Sequence, residues 1–335
     1  MRRRLFELSQ DEFGNFIELA HLNHVIVRAL SALLDTENQD NGHVARVEQA
    51  QETLDAEHAR VCTAILFLQK VCQSLERHGH SVVVIKSLDH WPDLGSDLDL
   101  YTDSNPRGIC QFMTEHLHAK IAPRSWGDRL AGKWNFLIPG LPEAIEIHMG
   151  RLGQTGEQAA IASSLVERSR PMKIYGQTFR VASIADRIMI STLQRMYRHF
   201  FFRLCDVVDS AQLMEAGLVD YEALRHQATR AGIWEGVATY LKIVFDYVAT
   251  YRGSGLELPQ FVMASARFGG EKVYYGNSFL RVPIMPQSVG LYGTQLAGVL
   301  KMGELGNGAR LSLLPWLASA AVLGQKLTGS DKGIW

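Results

Sequence analysis

The stretch from Val82 to Tyr101, V-V-V-I-K-S-L-D-H-W-P-D-L-G-S-D-L-D-L-Y, constrains this chain more than any other. Val82 to Ile85 is a β-branched run fit for a buried strand, and Lys86-Ser87 follow where that strand would end. Gly95 to Tyr101 alternates polar and apolar residues, so on a strand Asp97 and Asp99 face one way while Leu98 and Leu100 face the other. Two carboxylates side by side on a half-buried strand repel each other unless a cation sits between them. The pair therefore reads as a divalent-metal site, although a solvated strand can carry the same pattern.

The surrounding elements are alternating helices and strands. Phe13 to Leu34 predicts one largely buried helix, and the recurrence of Val44, Val47, Leu54, Val61, Ile65, Leu68, Cys72 and Leu75 predicts a further long helix, or two nearly collinear ones, ending near Gly79. Its polar first half, Glu48 to Arg60, suggests a solvated lever or a homodimer contact through the N-terminal helices. After Ser87 a short helix is expected, stopped by Pro92. Asn105 and Pro106 read as an N-cap and a first helical residue. Trp134 to Ile138 and Ala144 to Met149 bracket Pro139-Gly-Leu-Pro-Glu143 as a hairpin, whose second strand puts Glu146 and His148 on one face. A further hairpin is expected from Met172 to Ala182. Ser183-Ile-Ala-Asp186 resembles a capping box opening a helix through Arg203, along which Arg195, Arg198, His199 and Arg203 recur at helical spacing as an anion-binding or merely solvated face.

These features together resemble the DNA polymerase beta-like nucleotidyltransferase superfamily, and within it the bacterial family described as uncharacterised nucleotidyltransferases. That family carries Lys-Gly after the first strand, Ser-Asp-x-Asp-Leu about ten residues on, and a third carboxylate on a later strand. Lys86-Ser87, Ser96-Asp97-Leu98-Asp99-Leu100 and Glu146-x-His148 stand in those places, and Leu204-Cys205-Asp206 matches the Leu-x-Asp that ends a helix in the family. Ser87 replaces the glycine that would let backbone approach phosphate most closely. The resemblance covers residues 80 to 215. It implies an α/β fold with a mixed-sheet core at 80–182, preceded by a helical region (1–79) and followed by a helical domain (183–252); the Gly- and Pro-containing region 253–335 has no counterpart. It also implies that Asp97, Asp99 and Glu146 are catalytic and hold Mg²⁺ or Mn²⁺. Lys86, Ser87 and Ser96 would contact an NTP, and His148 would either hydrogen-bond the carboxylates from behind or simply pack; the spacing of the arginine helix adds Arg198 as a nucleotide contact. An NMP would pass to a hydroxyl of an unidentified acceptor.

Composition narrows the alternatives. A formal net charge of −1 argues against general nucleic-acid binding, which needs an excess of Lys and Arg on one face. Cys62, Cys72, Cys110 and Cys205 lack C-x-x-C spacing and read as reduced packing residues rather than zinc ligands, which predicts a cytoplasmic setting. The N-terminus lacks an apolar signal segment, and the run Leu311 to Leu323 is too short to span a bilayer. Two other readings of the same residues are a metal-dependent glycosyltransferase using Asp97-x-Asp99, and a catalytically weak nucleotide-binding regulator.

Overall fold

The computed structural model describes residues 4–5, 7–34, 44–253, 255–317 and 319–320. The chain is mixed α/β. A seven-stranded sheet forms its centre in the order β3-β4-β5-β2-β1-β7-β6, and a small three-stranded antiparallel sheet lies apart from it. The central strands are β1 (Val83–Val84), β2 (Asp97–Thr102), β3 (Lys120–Ile121), β4 (Lys133–Leu137), β5 (Ala144–Met149), β6 (Arg170–Ile174) and β7 (Gln177–Val181). The pairs β2/β5 and β1/β7 are parallel and the rest antiparallel.

The alternation read from the sequence sorts the two faces of this sheet. Val82, Val84, Leu98, Leu100, Ile145 and Ile147 face one core with Val61, Ile65, Leu68 and Leu75 of a long helix, while Val83, Ile85 and Tyr101 face a second core with the later helices. In chain order the helices used below are α1 (Gln10–Leu22), α2 (Ile26–Leu34), α3 (Val44–Arg77), α4 (Pro106–His116), α5 (Trp126–Ala131), α6 (Ile184–Thr192), α7 (Leu204–Glu215), α8 (Tyr221–Arg230) and α9 (Trp234–Arg252). Asn105 caps α4 as its sequence predicts, accepting from the Arg107 N–H. Among the described residues no helix is long and apolar enough to cross a membrane.

Four local expectations need correction. Phe13 to Leu34 is two helices rather than one, because the chain turns at Asn23-His24-Val25, where His24 adopts φ +52°. The first half of α3 is not a free lever: Ala50 and Leu54 bury against Phe13, Leu30 and Leu33 of α1 and α2. The helix expected through Arg203 ends sooner. α6 passes into a π-helical turn, Leu193–Arg198, Phe200 takes φ +55°, and Phe201–Phe202 forms a strand, β8. Leu204-Cys205-Asp206 consequently begins α7 instead of ending a helix. At the start of α6 only half of the capping box forms: Ser183 accepts from the Asp186 N–H, but the Asp186 carboxylate is taken by Arg168, 2.6 Å away.

The C-terminal region gains a structural role. Its strands β9 (Tyr274–Gly276) and β10 (Phe279–Arg281) form a hairpin, and β10 pairs with β8 through Leu280–Phe202 and Arg281–Phe201. The hairpin thus holds the short strand between Arg198 and Arg203.

Packing of the π-helical turn against α9 is close enough to reverse a propensity rule. Gly236 lies in α9, where alanine would ordinarily be preferred by about 1 kcal/mol. A Cβ there would meet the buried Tyr197 hydroxyl and ring. Gly236→Ala is therefore expected to lower stability by about 1–3 kcal/mol, the usual range for overpacking. Urea unfolding measures this, and a stabilised variant would show that the ring yields freely.

Candidate functional site

β2 and β5 lie parallel in a register that pairs Asp99 with Glu146 and Tyr101 with His148. Strand alternation sends Asp97, Asp99, Glu146 and His148 to the face opposite α3. Asp99, Glu146 and His148 each bring a ligand atom within 4.8 Å of the others. Asp97 stands at the exposed mouth of the same cleft, where the Ser96 hydroxyl donates to its Oδ2 at 3.3 Å.

Two lysines reach into this group. Lys86, at φ +61° just after β1, contacts Asp99 and lies 3.3 Å from Glu146 Oε1. Lys133 of β4 lies 2.6 Å from Glu146 Oε2. His148 Nε2 donates to Glu146 Oε1 at 2.9 Å. Burial opposes ionisation of Glu146, yet Lys86, His148 and Lys133 outweigh it and hold this carboxyl well below the usual carboxylate range. For Asp99 burial dominates and the Glu146 charge adds to it, so its pKa is raised well above the usual value despite Lys86. One carboxylate of the pair is thus held ionised and the other resists ionisation.

Ser87 does less than expected and more than a spacer. It opens a 3-10 turn, Ser87–His90, too short to supply the dipole of a full helix. Its buried hydroxyl donates to the Asp97 carbonyl at 3.3 Å and accepts the Asp99 N–H at 2.7 Å. The oxygen expected to face phosphate therefore braces β2, which fixes the two aspartates relative to Lys86.

Across the cleft, which encloses about 200 Å³, stand Arg198, His199 and Arg203. Among the described residues Arg198 has no ion-pair or hydrogen-bond partner. Arg195 is different: it is 3% exposed, and its Nε lies 2.8 Å from Asp206 Oδ2, so it anchors α7 rather than offering a free charge to the cleft. Arg203 has left the helix and packs its guanidinium 5.9 Å from the centre of the Phe201 ring.

The sequence reading missed Lys133, His24 and His90, all of which line the cleft. Lys133 precedes the strand expected from Trp134, and it reaches Glu146 through the register of β4 on β5, which the sequence does not state. His24 and His90 carried no signal, as each is placed by a turn.

The hard oxygens of Asp97, Asp99 and Glu146 suit Mg²⁺ or Mn²⁺. Burial, with the Glu146 charge adding to it, is what raises the Asp99 pKa, and a divalent cation bound there would favour the ionised carboxylate.

His148 provides a pH test of this cluster. Burial, aided by Lys86 and Lys133, lowers its pKa from 6.5 to about 4, against the pull of Glu146. Between those two values the unfolded chain binds more protons than the folded one, so stability rises with pH and is lost as pH falls from 6.5 towards 4. The loss assigned to this group is on the order of 3 kcal/mol. His148→Gln is expected to flatten the dependence over that window in urea titrations at a series of pH values. An unchanged slope would place the titration elsewhere.

A scan against protein-family models gave no match, and no curated protein matched the chain.

Proposed function

We propose that the protein is a nucleotidyltransferase that moves an NMP from an NTP to a hydroxyl group of a small molecule or protein, releasing pyrophosphate. The observation that carries this reading is the in-register pairing of Asp99 with Glu146 on parallel strands, with Asp97 beside them and Arg198, which has no ion-pair partner among the described residues, across the cleft. In such a transfer the acceptor hydroxyl gives up its proton to solvent as its oxygen bonds to the α-phosphorus, the bond to the α–β bridging oxygen breaks, and pyrophosphate leaves with that electron pair.

Asp97, Asp99 and Glu146 would hold Mg²⁺, which supplies Lewis-acid activation of the phosphate and of the attacking oxygen. Glu146, kept ionised by its lysines, is suited to bind a cation and poorly suited to take a proton. Because the Asp99 pKa is raised, a cation there would compete with a proton for the carboxylate, so cation binding should strengthen as pH rises. Lys133 and His148 keep Glu146 oriented, and Ser87 keeps β2 in place. Lys86 and Ser96 stand where they would meet phosphate oxygens, and Arg198 faces them as a charge that pyrophosphate can occupy.

Pyrophosphate release from a panel of NTPs with Mg²⁺ tests the reading, and consumption of a UDP-sugar instead would identify a glycosyltransferase. A second reading, a nucleotide-binding regulator of low activity, is favoured by the two lysines that already neutralise Asp99 and Glu146 and by the committed hydroxyl of Ser87. It predicts NTP binding without turnover. Arg198→Ala is expected to weaken NTP binding by about 1.5–3 kcal/mol, the range for a hydrogen bond to a charged group. Calorimetric titration measures it, and an unchanged affinity would remove Arg198 from the site. The homodimer contact through the N-terminal helices remains part of this proposal, with light scattering as its test.

A further inference from the structure

His24, His90 and Cys205 come from the α1–α2 turn, the end of the 3-10 turn and the second residue of α7, and each offers one ligand atom within 4.8 Å of the others. No motif links them; 115 residues separate His90 from Cys205. Cys205 Sγ lies 3.9 Å from His90 Nε2. A tetrahedral zinc ion, with bonds of about 2.0–2.1 Å to nitrogen and about 2.3 Å to sulfur, would set those two atoms about 3.6 Å apart. Side-chain adjustments of a few tenths of an ångström close the difference.

The supporting groups match what a metal-binding histidine needs. His90 Nδ1 lies 2.6 Å from Asp209 Oδ2, a contact that holds the ring with Nε2 towards Cys205, where a metal ion would take the place of a proton. Asp209 is itself held by Arg28 at 2.6 Å. A carboxylate on the far ring nitrogen is the usual means of orienting a ligating imidazole. His24 is positioned by a left-handed backbone and by Gly95, where a Cβ would approach its ring to 3.1 Å. Its Nδ1 is buried and, among the described residues, has no hydrogen-bond partner. Such a nitrogen costs free energy unless something binds it. Arg203, Arg195 and Arg60 place positive charge around His24, and Asp206 and Asp209 are paired with Arg195 and Arg28, so the negative charge that would draw in a cation is that of the Cys205 thiolate formed as the metal displaces its proton.

We propose that His24, His90 and Cys205 form a second metal site, selective for zinc-class ions over Mg²⁺, with its fourth coordination position open to the cleft. Selectivity follows from the donors, since imidazole and thiolate suit Zn²⁺ and Co²⁺ while Mg²⁺ demands oxygen. The open position follows from composition and place: three protein ligands, two of which line the cleft that Asp97 and Arg198 also line. This site stands whether or not the cleft transfers nucleotides.

Co²⁺ titration of the full chain, read by thiolate-to-cobalt charge-transfer absorption and d–d bands, tests it. The expected result is one Co²⁺ per chain with a thiolate band, displaced by Zn²⁺ and not by excess Mg²⁺. Cys205→Ser should abolish the band, whereas Cys62→Ser, at an exposed cysteine, should keep it. Because Cys205 is buried, two further variants guard against a folding defect. His24→Gln should weaken Co²⁺ binding at least about 10-fold, and Asp209→Asn about 10–100-fold. A thiolate band that survives Cys205→Ser, or an affinity unaltered by His24→Gln, would overturn the proposal and leave His90 and Cys205 as a buried hydrogen-bonded pair.

Discussion

Arg195→Ala is expected to lower the unfolding free energy by about 3–5 kcal/mol, the cost of breaking a buried ion pair by removing one partner. Arg195 and Asp206 are each 3% exposed and 2.8 Å apart, and the same Asp206 oxygen accepts the Arg203 N–H at 2.7 Å at the start of α7. Truncating the guanidinium leaves a buried carboxylate beside Tyr240 and Cys205 without its charge partner. The loss comes from the unpaired partner more than from the pair itself. A double substitution, Arg195→Met with Asp206→Leu, is therefore expected to recover most of it. Urea unfolding of the three proteins measures both effects. A single-variant loss under about 1 kcal/mol would mean that the pair is hydrated and that Arg195 is free to serve the cleft.

Asp99→Asn is expected to remove nearly all pyrophosphate release while leaving the fold intact. On the proposed reading, a cation held at this position would contribute several kcal/mol to transition-state charge stabilisation, equivalent to a fall of about 10³-fold or more on its loss. The stability change should have the opposite sign to an ordinary core substitution. The folded-state pKa of Asp99 is raised, so whatever stability its carboxyl contributes is present below the unfolded value of 3.8 and is lost as pH rises through the folded value. At neutral pH asparagine removes that cost and keeps the shape, and the variant should melt no lower than the parent in EDTA. The parent should then gain more from Mg²⁺ with NTP, because a ligand bound only by the folded chain stabilises it by mass action. Retention of turnover within about 10-fold of the parent would move the chemistry away from Asp99.

The sequence by itself determined the parts of this protein that follow from local periodicity. The alternation of Asp97-Leu98-Asp99-Leu100 and of Ile145-Glu146-Ile147-His148 dictates which side chains share a face, whatever the strands pack against. The 3-4 spacing from Val61 to Leu75 likewise dictates the buried stripe of α3, and Asn105-Pro106 dictates where α4 begins. Those constraints act within a few residues and are written in consecutive positions.

Only the tertiary structure decided how such faces meet. That β2 and β5 lie parallel and in register is a property of the whole sheet and brings Glu146 to Asp99, while the antiparallel pairing of β4 with β5 brings Lys133 to Glu146. The arginines read as one helical face because their spacing is helical. Yet Asp206 claims Arg195, and pairing of Phe201–Phe202 with a hairpin near residue 280 ends the helix before Arg203. Local propensity could not foresee either competitor, since both arrive from elsewhere in the chain. The same holds for His24, His90 and Cys205, whose spacing carries no motif. Each is set by a turn or a helix start, and they share one point in space only because α2, the 3-10 turn and α7 are clamped together by Arg28 with Asp93 and Asp209.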